Sequence, residues 1–292
     1  MKNAKKSPLV RVIWELVLDA LKANPVILVP FFISGILKLL CLLVIFLSIF
    51  PPLSVIFAPL IRALWGEGFL HYPFNFYLMP KIFYYAHIAV YILLDGLMSG
   101  IAVWMVHQTK ENKKPRFSSS LRNVLPHYVT LAVFLSFIFM IVYFINFSEG
   151  LLIPKLLKLK FVTKLQQEGI LNFLIVFLNF FLFILIETLF AFVIPFVVLE
   201  GKKFFGALKG SLVLVKKLFF ATFGLIVTPT LLLLPFSLLK SGLPILIDKT
   251  LPEITFLVLG GSVVATILID CVVTTSLAFL FLSRKDLNLD KN

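Results

Sequence analysis

Long apolar runs set the terms for this chain. Segments of twenty or more mainly apolar residues recur along its whole length. Each is long enough to cross the ~30 Å hydrocarbon core of a bilayer as a helix. Of 292 residues, 60% are hydrophobic and only 14% charged, with a mean hydropathy of +1.05. That is far short of the polar surface a water-facing domain needs. The expectation is an all-α integral membrane protein, one membrane domain over residues 1–292. Six spans are expected near 26–49, 82–106, 127–147, 171–199, 218–239 and 254–282.

Six spans put both termini on one side, and basic residues choose the side. Eighteen of the 27 Lys and Arg fall in the N-terminus, the 107–126 and 200–217 loops and the C-terminus. Eight fall in the three opposite loops, and Lys38 lies inside span one. Both termini are therefore expected in the cytoplasm. The net charge of +13 is mostly this orientation signal and does not point to nucleic acid. The opening MKNAKKSPLVRVIWELVLDALKANP does not read as a signal peptide, because Glu15, Asp19 and Lys22 interrupt it and no small-residue cleavage site follows. Cys41 and Cys271 both fall in spans, with no CxxC and no disulfide framework. The 33 Phe residues suit lipid-facing and interfacial surfaces.

The basic segments share a style. LVRVIWELVLDALKANP, FSSSLRNVLPH and FFGALKGSLVLVKK mix apolar and basic residues at roughly helical spacing, and each leads into an odd-numbered span. They read as short amphipathic helices in the inner interface, with Ser118 or Ser119 as a cap for the second; plain juxtamembrane basic loops are the alternative. Lys202, Lys203, Lys209, Lys216 and Lys217 are candidate contacts to anionic headgroups. On the other side, the Pro- and aromatic-rich stretch from Phe50 to Lys81 reads as interfacial or re-entrant. The loop LLIPKLLKLKFVTKLQQEG reads as a basic surface helix.

Three apolar tetrads end in an acid: ILLD at Asp95, ILIE at Glu187 and ILID at Asp270. No other acid falls within the six expected spans. Leu21–Lys22, Leu121–Arg122 and Leu208–Lys209 precede these acids, with 73, 65 and 61 residues from each basic residue to its acid. The pattern suggests three hairpin repeats, 7–106, 117–199 and 203–282, in a pseudo-threefold array; internal symmetry is common in membrane transport proteins.

Asp95, Glu187, Asp270 and Lys38 lie eleven or twelve residues from the inner ends of their spans, or ~16–18 Å. Four ionisable groups thus share the mid-membrane layer. Each costs roughly 2.5–3.5 kcal/mol at the centre of a span, so they should face inward and pair. Lys38 can compensate one carboxylate; another should carry a proton or a bound cation. Ser34, Ser99, Thr188, Thr266, Thr274 and Thr275 are close enough in sequence to complete hydrogen bonds. Three outcomes stay open: a structural cluster that fixes helix register, a transport or proton-handling site, or scattered acids without contact.

Enzyme signals are poor. His71, His87, His107 and His127 lack metal-ligand spacing, and there is no GxSxG and no Gly-rich phosphate loop. No cofactor or metal is expected.

The stretch PFVVLEGKKFFGALKGSLVLVKKLFFATFG, Pro195 to Gly224, resembles the membrane-domain family of glycerophosphoryl diester phosphodiesterases and its uncharacterised bacterial six-span relatives. The resemblance rests on an apolar span end and acid, here Glu200, followed by a basic helix with Ala207, Leu208, Lys209, Ser211 and Lys216–Lys217. ALKANPVILVPFF and FLFLSRKDLN fit the same pattern loosely. It implies a membrane module and a bacterial cytoplasmic (inner) membrane. Hydrolase activity is not expected to carry over, because these 292 residues hold no phosphodiesterase domain. The leading expectation is a non-enzymatic protein that organises or handles lipids or lipid-linked material. The alternative is a small cation- or proton-coupled transporter built on Lys38, Asp95, Glu187 and Asp270. A much weaker third reading is an intramembrane hydrolase. Expected partners are membrane lipids, with room for a partner subunit or a homo-oligomer. Whether the four charged side chains converge decides between scaffold and transport.

Overall fold

The computed structural model describes residues 9–156, 170–249 and 251–284. Among them every regular element is helical, and six helical stretches are long and apolar enough to cross a membrane: Pro25–Leu47, Phe74–Lys110, Phe117–Leu152, Phe173–Glu200, Phe204–Ser241 and Ile254–Ser283. These are spans one to six. The lysines of the second outer loop beyond Lys155 lie outside the described residues, and Leu151–Leu156 continue the helix of span three.

Spans two, three and five are longer than the hydropathy pattern suggests. Span two begins at Phe74 rather than near 82, because the aromatic stretch before Pro80 is already helical. Proline removes one backbone donor and kinks a helix without obliging it to end. Ser54–Trp65 forms a separate helix before it. Span five begins at Phe204: the expected short basic helix runs straight into the span, with a kink at Leu218 (φ −119°, ψ 18°). The other two basic segments are distinct helices, Leu9–Ala23 and Phe117–Val124, each joined to its span by a tight turn containing Pro25 or Pro126. Neither Ser118 nor Ser119 caps the second. Its N-cap position is Arg116, whose N–H donates to Gln108 Oε1 at 3.3 Å.

The packing order is cyclic. Span one lies against span six, span three against the second half of span two, and span five against span four. The basic helices follow the same rule. Leu9–Ala23 docks on span six, Phe117–Val124 on Gly96–Lys110, and the start of the Phe204 helix on Val193–Glu200. Leu9–Ala23 docks through Ile13, Val17 and Ala20, spaced for one helical face. Close approach needs small residues, as usual between membrane helices. A Cβ on Gly35 of span one would run into Ile267 of span six, and one on Gly100 would sit 2.8 Å from Val124 Cγ1.

Spans two and four also depart from regular α-helix. In span two, Tyr91–Asp95 form a π-turn, and Asp95 closes it. Single π-turns inside α-helices concentrate at functional sites. In span four the helix breaks at Ala191–Phe192 and resumes at Val193. Pro195 explains the break: it lacks the N–H that would bond to the Ala191 carbonyl. Ser211 of span five repairs it. Its buried Oγ donates to the Leu189 carbonyl (3.0 Å) and accepts the Phe192 N–H (3.2 Å).

Candidate functional site

Span one brings Ser34 and Lys38 to one helical face, one turn apart. Both are buried, Lys38 with 3% of its surface exposed. Their common target is Asp95 at the end of the π-turn. Lys38 Nζ lies 2.6 Å from Asp95 Oδ2, and Ser34 Oγ donates to Asp95 Oδ1. Charge-assisted bonds of this kind are the strong ones, and here they satisfy both carboxylate oxygens.

Glu187 and Asp270 are treated differently. Among the described residues neither makes a side-chain hydrogen bond or an ion pair. Instead both border a cavity of about 290 Å³ that Lys38 and Asp95 also line. Every span contributes to its wall: Lys38, His87, Phe139, Glu187, Thr230 and Asp270 come from spans one to six in turn. A second cavity, of about 140 Å³, shares Tyr91, Asp95, Glu187 and Asp270 and runs toward Ser99 and Thr274. The four expected charged residues thus meet at one void, with one ion pair and two carboxylates that form none among the described residues. No group of three or more His, Cys, Asp or Glu among the described residues is placed to hold a metal ion.

Of the small polar residues near them in sequence, Ser34 bonds Asp95, and Ser99, Thr266 and Thr274 border the cavities. Thr188 donates to the Ile184 carbonyl of its own helix, and Thr275 is buried. Cys271 packs as a small hydrophobe with Phe31 and Ala102. His87 and Tyr91 also belong to the site. Their signal was present: His87, Tyr91 and Asp95 are spaced by four and four, which is one helix face. The longer third span also carries an acid beyond the expected three, Glu149, which accepts from Asn179 Nδ2 at 2.9 Å.

Past the cavities, toward the face with the basic helices, the ends of spans two, four and six close together. Val106, Met105, Phe192, Val197, Leu280 and Phe281 are all buried there. The Phe196 and Phe281 rings meet edge-on at 4.8 Å. Charged groups tie the rim. Glu200 accepts from Arg284, whose guanidinium lies 3.7 Å over Phe281, and Lys110 Nζ donates to the Leu282 carbonyl at 2.8 Å. Lys202 is engaged here too, 2.9 Å from Glu200 and 3.9 Å over Phe196. Lys203, Lys209, Lys216 and Lys217 are on the exposed side of their segment. Nearby, a Lys113 ammonium at 2.8 Å, with His107 as a lesser cause, holds the Glu111 carboxyl below its ordinary pKa. Comparison with family models, with curated proteins and with solved structures returned no match.

Proposed function

We propose that this six-span membrane protein is a small proton- or cation-coupled transporter whose site is the mid-membrane cavity. One observation carries the reading. Lys38 makes its ion pair with Asp95, so Glu187 and Asp270 face the cavity without an ion pair or hydrogen bond among the described residues. Two uncompensated charges near the centre of a bilayer cost about 5–7 kcal/mol on insertion scales. Protons or a bound cation remove that cost, and the cavity has room for either. Intramembrane acids that face a cavity mark ion and substrate pathways. A purely structural cluster would instead pair every charge and leave no void.

The cyclic packing supports three hairpin repeats, 7–106, 117–199 and 203–282. The basic-residue bias supports the face with Leu9–Ala23 and Phe117–Val124 as cytoplasmic, in a bacterial inner membrane. The exposed Lys203, Lys209 and Lys216 favour contact with anionic lipid headgroups at that face. They also favour lipid handling without transport as the second reading. No bond-making chemistry is assigned.

The test is flux in vesicles with a trapped pH dye, driven by a valinomycin-imposed potential. Protein-loaded vesicles should acidify at least ten-fold faster than empty ones, and Glu187→Gln and Asp270→Asn should return the rate to the empty level. If the folded protein moves neither protons nor, with a sodium-sensitive dye in the same vesicles, sodium ions, or both variants keep the wild-type rate, transport fails. Accelerated phospholipid exchange in the same vesicles would then favour lipid handling.

A further inference from the structure

A third cavity, of about 260 Å³, adjoins the acid-lined one on the side away from the basic helices. The two share Tyr84, His87, Leu233 and Thr266 as common walls. The third cavity is bordered by Lys240, an exposed residue whose ammonium makes no hydrogen bond or ion pair among the described residues. Two of the hydroxyls that border this cavity are turned to their own helix: Ser262 donates to the Leu259 carbonyl and Thr266 to the Ser262 carbonyl, each at 2.8 Å. Lys240 is the ammonium that borders this cavity. Phe83, Tyr84 and Phe236 wall this cavity too, with His87 and Thr266 at its junction with the acid-lined one.

The joined space is thus basic at one end, aromatic in the middle and acidic at the other. Its length follows from the unbroken helix of span six. Ser262 lines the cavity that Lys240 borders, Asp270 lines the acidic one, and eight residues of helix separate them by ~12 Å. From this polarity and length we infer that the joined cavities bind an amphipathic zwitterion: an amine at Glu187 and Asp270, a carboxylate or phosphate at Lys240, and an apolar body of about 10 Å between them. This rests on the transport reading above and names its solute class. The amine supplies the cation that the two carboxylates lack. The acidic group meets an ammonium that has no partner of its own.

The experiment uses the whole chain in nanodiscs and a series of ω-amino acids: 4-aminobutanoate, 6-aminohexanoate, 8-aminooctanoate and 10-aminodecanoate. Octylamine and octanoate serve as single-ended controls, with binding read by calorimetry. The expected result is an affinity optimum at 8-aminooctanoate or its nearest longer neighbour. Both single-ended controls should bind at least ten-fold more weakly. Lys240→Gln should reduce the zwitterion to the level of octylamine, and Glu187→Gln with Asp270→Asn should reduce it to the level of octanoate. Affinities independent of chain length, or octylamine binding as tightly as the zwitterion with Lys240→Gln silent, would overturn the inference. The latter pattern would leave the cation site of the transport reading intact. The length series needs no variant, so misfolding of Lys240→Gln does not remove the test.

Discussion

The Lys38–Asp95 corner and the Glu187–Asp270 corner lie in one layer of one cavity, yet they are built on opposite rules. At the first, every charge has an opposite charge and a hydroxyl supplies the remaining bond. At the second, two carboxylates look into a void with no protein partner. Burial alone does not explain the difference, because all three acids are only partly covered. The contrast separates a charge pair that ties two helices together from two carboxylates that face a cavity unbonded. A buried ion pair is weak evidence for net stability but a strong constraint on geometry. An unbalanced pair of acids is a cost that only function or a ligand accounts for.

The comparison can be broken at its strongest point first. Lys38→Met leaves Asp95 charged and unpaired, and should lower stability by about 3–5 kcal/mol, read as a large fall in the thermal unfolding midpoint in detergent. Lys38→Met with Asp95→Leu should recover most of that loss. No recovery would mean that the pair does more than balance its own charge. Next comes Ser34→Ala, which removes one hydrogen bond to a charged group and should cost about 1.5–3 kcal/mol. Asp270→Asn should behave oppositely. It removes a charge that nothing holds, so the unfolding midpoint should stay level or rise while flux falls at least ten-fold. A fall comparable to that of Lys38→Met would show that Asp270 is structural after all. Smallest of all, Lys209→Gln on the exposed basic face should change stability by less than ~0.5 kcal/mol and weaken binding only to vesicles rich in anionic lipid.

Much of this arrangement was legible in the residues. The apolar runs gave six spans, and counting from span ends put Lys38 and three acids at one depth. Which acid Lys38 would choose was not legible. That depends on how closely span one approaches spans two and six, which Gly35 against Ile267 permits, and on the π-turn that ends at Asp95. Hydropathy has no memory of such a turn. Span boundaries failed where composition and conformation part company. The aromatic stretch before Pro80 is helical although its Pro and Tyr content suggested otherwise, and the Phe204 helix continues through a basic segment. Lys240 was counted only as a loop charge, because nothing near it in sequence announces the cavity it borders.

The aromatic closure at the basic face has an electrical consequence. Water-filled cavities conduct, so little of a membrane potential falls across them. The drop concentrates where packed hydrocarbon remains, here the layer of Phe192, Phe196, Phe281 and their aliphatic neighbours. Moving one elementary charge through the full potential is worth about 2.3 kcal/mol per 100 mV. On the transport reading proposed above, with the cavities hydrated from the Lys240 side, a cation would reach Glu187 and Asp270 almost free of that work. Nearly all of it is done in the final passage through the closed layer, so the voltage across the membrane bears most directly on the three phenylalanine rings.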